Sequence, residues 1–222
     1  MNQPVIAVTM GDPAGIGPEI IANTFAERGF HDENKALVVG DAEILERVIR
    51  LLDLPLRVNE VSGPGEALFE PGVVDVMQVG ELPEDLPFGE LDARAGAAAF
   101  EYVRRATELA LEGSVGAVAT APLNKEAMHM GGYKYPGHTE ILAELTGTKD
   151  YAMMLVTREL RVIHVSTHVS LREAIDRVST ERVLTVIHLA KDALSKIGVE
   201  EPRIAVAGLN PHAGENGLFG NE

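Results

Sequence analysis

The chain has neither cysteine nor tryptophan among its 222 residues, and only 5% of it is aromatic. Without cysteine there can be no disulfides, no thiolate metal site and no thiol nucleophile. Any metal must be held by imidazole, carboxylate or carbonyl groups. Positive charge is scarce as well: 19 Lys and Arg stand against 34 Asp and Glu, a formal net charge of −15. Nucleic-acid binding needs clustered basic residues to neutralise phosphates, so that class is set aside, whereas a local pocket for a small anion is not. No apolar run approaches the ~20 residues of a membrane span. The start MNQPVIAVTM lacks a basic n-region and a cleavage motif. A soluble, cytoplasmic protein that binds neither membrane nor nucleic acid is expected.

What is present is an alternation of strand-like and helix-like runs. Val5–Thr9 leads through a Gly/Pro loop to a helix beginning near Pro18, a residue suited to a first helical turn. Ala36–Val39 leads to Asp41, a good N-cap for the amphipathic run AEILERVIRLL. Leu56–Val61 and Val73–Val79 read as strands, followed by an Ala-rich helix from about Asp92 to Glu112. VGAVAT, Val115–Thr120, has the composition of a strand buried on both faces. YAMMLVTRELRVIHVSTH predicts a hairpin turning near Arg158 and Glu159, and Ser170 to Glu173 (SLRE) a capping box. In the helix after it, Val183, Ile187, Ala190, Leu194 and Ile197 recur at helical spacing, with Gly198 as the stop. RIAVAGLN reads as a last strand. The class is α/β. Two lobes are expected, 1–124 and 125–222, with a weak compositional break near residues 121–125. A strand and open loop at the end leave the second lobe incomplete, so a covering segment after Glu222 is expected.

MGDPAGIGPEI follows the first strand and opens a helix, where phosphate and dinucleotide loops sit, yet it is neither fingerprint. Gly15 and Gly17 lack a third glycine at position 20, which is Ile20, and Gly17-Pro18-Glu19 stands where a Walker loop needs Gly-Lys-Ser/Thr. A tight turn into a helix N-terminus remains, with N–H groups suited to an anion or with a purely structural role.

Seven histidines are the chemical stock. His31 falls in a polar loop and reads as solvated, His188 lies just off an apolar helix stripe, and His129 follows a short helix start. His164 and His168, if in one regular strand, stand ~13 Å apart, too far to share one metal. His168, at the strand end, is the better placed. His138 in YPGHTE and His212 in NPHAGEN lie in loops that present side chains rather than pack them.

GDPAGIGPE, TAPLNKE, YPGHTE, STHVSLR and GLNPHAGENGLFGNE, in this order, resemble the 4-hydroxythreonine-4-phosphate dehydrogenase (PdxA-like) family over essentially the whole chain. TAPLNKEA, DYAMML and VIHVSTH are most similar to the branch that oxidises 4-phospho-D-threonate or 4-phospho-D-erythronate. The pyridoxal phosphate branch shares the motifs near the metal, and a further relative acts on cyclohexadiene diol dicarboxylates. The resemblance implies two α/β/α lobes akin to isocitrate and isopropylmalate dehydrogenases, and a homodimer with the active site at the subunit interface. It also implies NAD and a divalent cation (Zn, Mg, Mn or Co) as cofactors, and a phosphorylated small-molecule substrate. His168 and His212 match two of three metal-binding histidines; His138 and Thr139 match substrate-binding residues. The third metal histidine, in a segment like His-Asp-Gln-Gly, and further substrate residues have no counterpart within the 222 positions. No residue is assigned as the catalytic acid or base. Gly15, Gly17 and Lys125 are candidates near the cofactor or phosphate, as is Lys134, with surface placement the alternative for both lysines. A metal-dependent hydrolase using the same histidines and a non-catalytic scaffold are the rival functions.

Overall fold

The computed structural model describes residues 3–222. They form two compact units, the first ending at Gly147 and the second running Thr148–Glu222. In the first unit the elements are β1 (Val5–Thr9), α1 (Gly17–Ala26), a one-turn α2 (Phe30–Glu33), β2 (Lys35–Gly40), α3 (Ala42–Leu51) and β3 (Arg57–Val61). β4 (Val73–Gln78), α4 (Ala93–Leu111), β5 (Ala117–Thr120), α5 (Lys125–Met130) and α6 (His138–Leu145) complete it. The strands form one parallel sheet in the order β3-β4-β2-β1-β5. Parallel neighbours need crossovers, and the helices supply them.

β2 and β4 are central and near-continuously buried, as their Val-rich sequences require. α1 and α3 pack on each other, and α4 lies across β1, β2 and β5. Asp41 accepts the Ile44 N–H at 2.9 Å and so caps α3, as its position in the sequence predicts. β5 departs from expectation. VGAVAT was expected to be buried on both faces, but β5 is an edge strand, and Ala117, Ala119 and Thr120 are exposed. Apolar composition marks a strand as able to be buried; only neighbours bury it.

α5 and α6 pack on α4 rather than with the later residues, which is why the divide falls after Gly147 and not at the compositional break near residues 121–125. Phe100 and Val103 of α4 form a small core with Met128 and Ile141. Gly96 lets the two backbones touch, since a Cβ there would land on the carbonyl of Ala127.

The second unit holds an antiparallel hairpin, β6 (Met154–Val156) and β7 (Arg161–Ile163), then α7 (Leu171–Asp176) and α8 (Thr180–Lys196). The hairpin turns where the sequence predicts, with Thr157 Oγ1 accepting the Glu159 and Leu160 N–H groups. α8 ends at Gly198 (φ +85°), where Val199 N–H reaches the Leu194 carbonyl and Gly198 N–H that of Ser195. The capping box forms only in half: Ser170 Oγ accepts the Glu173 N–H, while the Glu173 carboxylate pairs with Arg177. RIAVAGLN is not a strand. No described residue pairs with it, and Val206 and Leu209 are exposed, because β-structure needs a ladder partner that propensity cannot provide. Apolar burial here is sparse, with Val186 and Ala190 its buried core side chains among the described residues. No described helix is long and apolar enough to cross a membrane.

Gly96→Ala separates packing from propensity. Alanine favours helix by about 1 kcal/mol over glycine, but the α4–α5 contact leaves no room for a methyl. The substitution should destabilise by about 1–3 kcal/mol through overpacking, read as a lower urea midpoint. An unchanged or higher midpoint would show that the two helices separate freely.

Candidate active site

At the carboxyl ends of β1 and β5 the chain closes on itself. Gly11 (φ +72°) has no Cβ to strike the Pro122 carbonyl, so the Asp12 N–H can donate to that oxygen at 2.9 Å. Asp12 organises the turn that follows: its carboxylate accepts the Ala14 N–H at 2.9 Å, and its carbonyl accepts the Gly15 N–H at 3.0 Å. Burial pushes the Asp12 carboxyl pKa up, the Ala14 N–H offsets part of this, and the Asp92 charge adds to it. The two glycines of the turn differ in what they do. Gly15 spends its N–H on Asp12, and a Cβ on Gly17 would meet the Met10 carbonyl. Close packing of α1 on the strand end therefore accounts for Gly17 without a cofactor.

The Pro122 closure aims the next residues. Asn124 Oδ1 accepts the Ala127 N–H and caps α5, leaving Lys125 as its first, exposed residue. Lys125 Cε lies 3.8 Å from where a Gly137 Cβ would be, and Glu140 Oε2 lies 3.7 Å from the same point. Gly137 precedes α6, whose N-terminus no side chain caps. His138 and Thr139 are its first two residues, so their N–H groups point out of the helix end beside the Lys125 stem. The His138 ring is half-buried, with Nε2 enclosed and without a hydrogen-bond partner among the described residues, and burial lowers its pKa. It is a neutral imidazole at neutral pH. Helix N–H groups, an imidazole and a nearby ammonium together suit an anion, with the Glu140 carboxylate bordering the same group.

An aromatic stack holds this helix end in place. Phe100 stacks on Tyr133 at 3.8 Å and on Tyr135 at 5.5 Å between ring centroids. The Tyr133 hydroxyl donates to Glu101 at 3.0 Å, and His129 Nε2 lies 3.0 Å from the Tyr135 carbonyl. His129 is thus a structural residue, and Lys134 is exposed. His31 is not solvated, contrary to expectation; it is half-buried, edge-on to Phe25 and Phe30. His188 is exposed on α8.

The second unit carries the two candidate metal histidines. β7 stops at Ile163, so His164 and His168 are not in one regular strand; His164 is half-buried and His168 exposed. His168 (φ +57°) and His212 (φ +52°) both adopt left-handed backbone. Non-glycine residues pay on the order of 1 kcal/mol or more to sit there, and such strain gathers at ligand-holding loops. His212 is exposed near Phe219, its ring 5.8 Å away, in a turn where Ala213, Glu215 and Asn216 also have positive φ. Two exposed imidazoles suit a borderline divalent cation by donor type. Among the described residues no group of three or more His, Asp or Glu side chains comes together as a metal site, so these two fall short of the three protein ligands usual at catalytic zinc. Sequence reasoning missed Arg182, whose guanidinium donates to the Val165 carbonyl at 3.0 Å and the Tyr151 carbonyl at 2.8 Å. It ties α8 to the loop that leads to His168; only its place in the first turn of a capped helix could have hinted at this.

Comparisons with known proteins place the chain. Residues 32–222 match the family described as pyridoxal phosphate biosynthetic protein PdxA. The chain is 51% identical to the D-threonate 4-phosphate dehydrogenase of Pectobacterium atrosepticum, over 98% of this chain and 67% of that protein. It is 49% identical to the enzyme of the same name from Cupriavidus necator, over 98% of this chain and 66% of the relative. A crystal structure of 4-hydroxythreonine-4-phosphate dehydrogenase from Klebsiella pneumoniae superposes with a TM-score of 0.90 at 52% identity, covering 98% of this chain and 66% of that one. The chain thus spans about two thirds of the length of these relatives.

Two outcomes are expected. His138 should titrate below its ordinary 6.5. The unfolded chain then binds a proton that the folded one refuses, so this contribution to stability is present above 6.5 and lost as pH falls below it. NMR titration of the ring reads the pKa directly, and His138→Gln should flatten the acid side of a stability-versus-pH curve; a His138 pKa at or above the ordinary value contradicts the burial account. Separately, Arg182→Ala should raise limited proteolysis between residues 164 and 170, mapped by mass spectrometry, with no change in the first unit.

Proposed function

The chain belongs to the PdxA family, and on that footing we propose that it serves NAD-dependent oxidation of the secondary alcohol of a 4-phosphorylated hydroxy acid. The product is a 3-keto acid able to decarboxylate, and the preferred substrate is D-threonate 4-phosphate. The observation that carries this reading is identity of about half the residues, over nearly the whole chain, to dehydrogenases of that name. That a neighbouring structure is named for 4-hydroxythreonine 4-phosphate favours the pyridoxal phosphate branch as the second reading.

The substrate's phosphate suits the uncapped end of α6, where the N–H groups of His138 and Thr139 and the Lys125 ammonium supply positive potential. His138, neutral through burial, can hydrogen-bond a hydroxyl or phosphate oxygen at Nε2 without adding a charge that must be desolvated. His168 and His212 would contribute two ligands to a divalent cation, Zn, Mg, Mn or Co. When bound, that cation polarises the hydroxyl oxygen and stabilises negative charge on it. NAD, when bound, would supply the hydride acceptor. Gly15 and Gly17 give this cofactor no specific cradle, and Lys125 is better read as a phosphate partner. A homodimer accords with the exposed apolar side chains of the second unit, among them Leu160, Leu171 and Leu218. Two lobes of the isocitrate dehydrogenase type and a cytoplasmic setting belong to the same proposal.

NADH formation from D-threonate 4-phosphate, D-erythronate 4-phosphate and 4-phosphohydroxy-L-threonine tests the reading and ranks the branches. Chelation should abolish turnover and a divalent cation restore it. His138→Ala should raise KM or lower kcat, by about tenfold or more for a lost charge-assisted contact, while unfolding stays cooperative. Full turnover after exhaustive chelation would remove the metal from the account. Phosphate release without NADH formation would favour a hydrolase.

A further inference from the structure

Two hydroxyls are sealed inside the first unit with no protein partner. Thr9 and Tyr102 are each fully buried, and neither Thr9 Oγ1 nor the Tyr102 hydroxyl has a hydrogen-bond partner among the described residues. They face the same layer. Ile6 and Val8 line a groove with Ile20, Ile21 and Phe25 of α1, so strand alternation turns Ala7 and Thr9 to the α4 side of β1. On α4, Ala95, Tyr102, Ala106 and Leu109 belong to the sheet core, whereas Phe100 and Val103 pack with α5 and α6. Tyr102 therefore points at the sheet.

Its hydroxyl also points toward the strand ends. Helical side chains lean toward the helix N-terminus, here the end capped by Asp92. Two buried carboxylates, Asp41 and Asp12, stand just past the carboxyl ends of β2 and β1, the strand ends toward which that lean carries the hydroxyl. Ala7, Ala95 and Ala99, all fully buried, keep the surrounding walls small. The two carboxylates differ in what they have left to offer. Asp41 already accepts from the Ile44 and Leu82 N–H groups and from Gln78 Nε2. Asp12 accepts a single N–H, that of Ala14, and keeps lone pairs to spare.

Buried polar groups in native proteins are almost always satisfied, by protein or by ordered water. We propose that Tyr102, Thr9 and Asp12 enclose an internal hydration site, whose bound water links the α4 hydroxyl to the carboxylate that shapes the Gly11–Gly17 turn. Water is the ligand that fits. It accepts from the Tyr102 hydroxyl and donates to Asp12 and to Thr9 Oγ1, completing three polar groups with one small molecule. Tyr102 is then a positioning residue. It holds Asp12, and through it the amides of Ala14 and Gly15, at the edge of the cleft where parallel α/β sheets take ligands.

Amide hydrogen exchange of the intact 222-residue chain tests this with Tyr102→Phe, the near-isosteric Thr9→Val, and both together. Each single variant should speed exchange at Ala14 and Gly15 on the order of tenfold, the worth of about one hydrogen bond, with the β4 amides unchanged. The double variant should be no faster than either single one, because one water is lost once. Direct transfer of magnetisation from water to the Tyr102 ring protons in the parent chain should vanish in Thr9→Val. Unchanged loop exchange with a raised Tm in Tyr102→Phe would mean a dry, unsatisfied hydroxyl and overturn the proposal, as would additive effects in the double variant. A parent Tm that rises with K⁺ or Na⁺ over tetramethylammonium, and loses that response in Tyr102→Phe, would replace water by a cation. Should Tyr102→Phe fail to fold, Thr9→Val carries the same test.

Discussion

The missing side chain of Gly11 lets two strand ends meet, and much of the first unit follows from it. With no Cβ in the way, the Asp12 N–H bonds to the Pro122 carbonyl, so the turn after β1 and the turn after β5 are locked together. That lock sets where Asn124 can cap α5, and hence where Lys125 emerges. The glycines of α4 and of the turn after α5 extend the same device. Gly96 and Gly131 bring α5 into backbone contact with α4, so α6 begins beside Lys125. A polar site at a helix end is thus held by close backbone approach and by the Phe100–Tyr133 stack, with Lys125 and Glu140 as the charged groups beside it.

The two units handle their candidate residues differently. In the first, His138 is half-buried and neutral, rigidly placed by packing. In the second, His168 and His212 are exposed and owe their placement to left-handed backbone. Around His168 the restraints are hydrogen bonds rather than a core: Arg182 to two carbonyls, Ser170 to the start of α7. Such a loop presents its imidazoles to solvent without burying them, at the cost of local strain.

What the sequence revealed depended on whether the signal was local. β1 to β4, α1, α3, α4, the Asp41 cap, the hairpin turn and the Gly198 stop all rest on periodicity or on residue preferences within a few positions. All of them appear in the structure. The failures concern partners. The edge position of β5, the unpaired state of RIAVAGLN and the half-formed Ser170–Glu173 box depend on what lies opposite, which no single segment encodes. The candidate histidines stand out in the sequence, but their setting does not. The positive φ of His168 and His212, the burial of Asp12 and the reach of Arg182 are all tertiary facts. Gly17 adds a packing demand that the sequence did not reveal, since a Cβ there would strike the Met10 carbonyl.

The central claim is that the start of α6, with Lys125 beside it, receives the phosphate of the substrate. Titration of the ¹⁵N-labelled chain with D-threonate 4-phosphate, followed by amide shifts, tests it most directly. The account predicts saturable shifts largest at His138 and Thr139, an upfield or downfield response of the Lys125 side chain, and weaker effects with D-threonate lacking the phosphate. Saturable shifts confined to other regions, or equal responses to the phosphorylated and unphosphorylated acids, would contradict it.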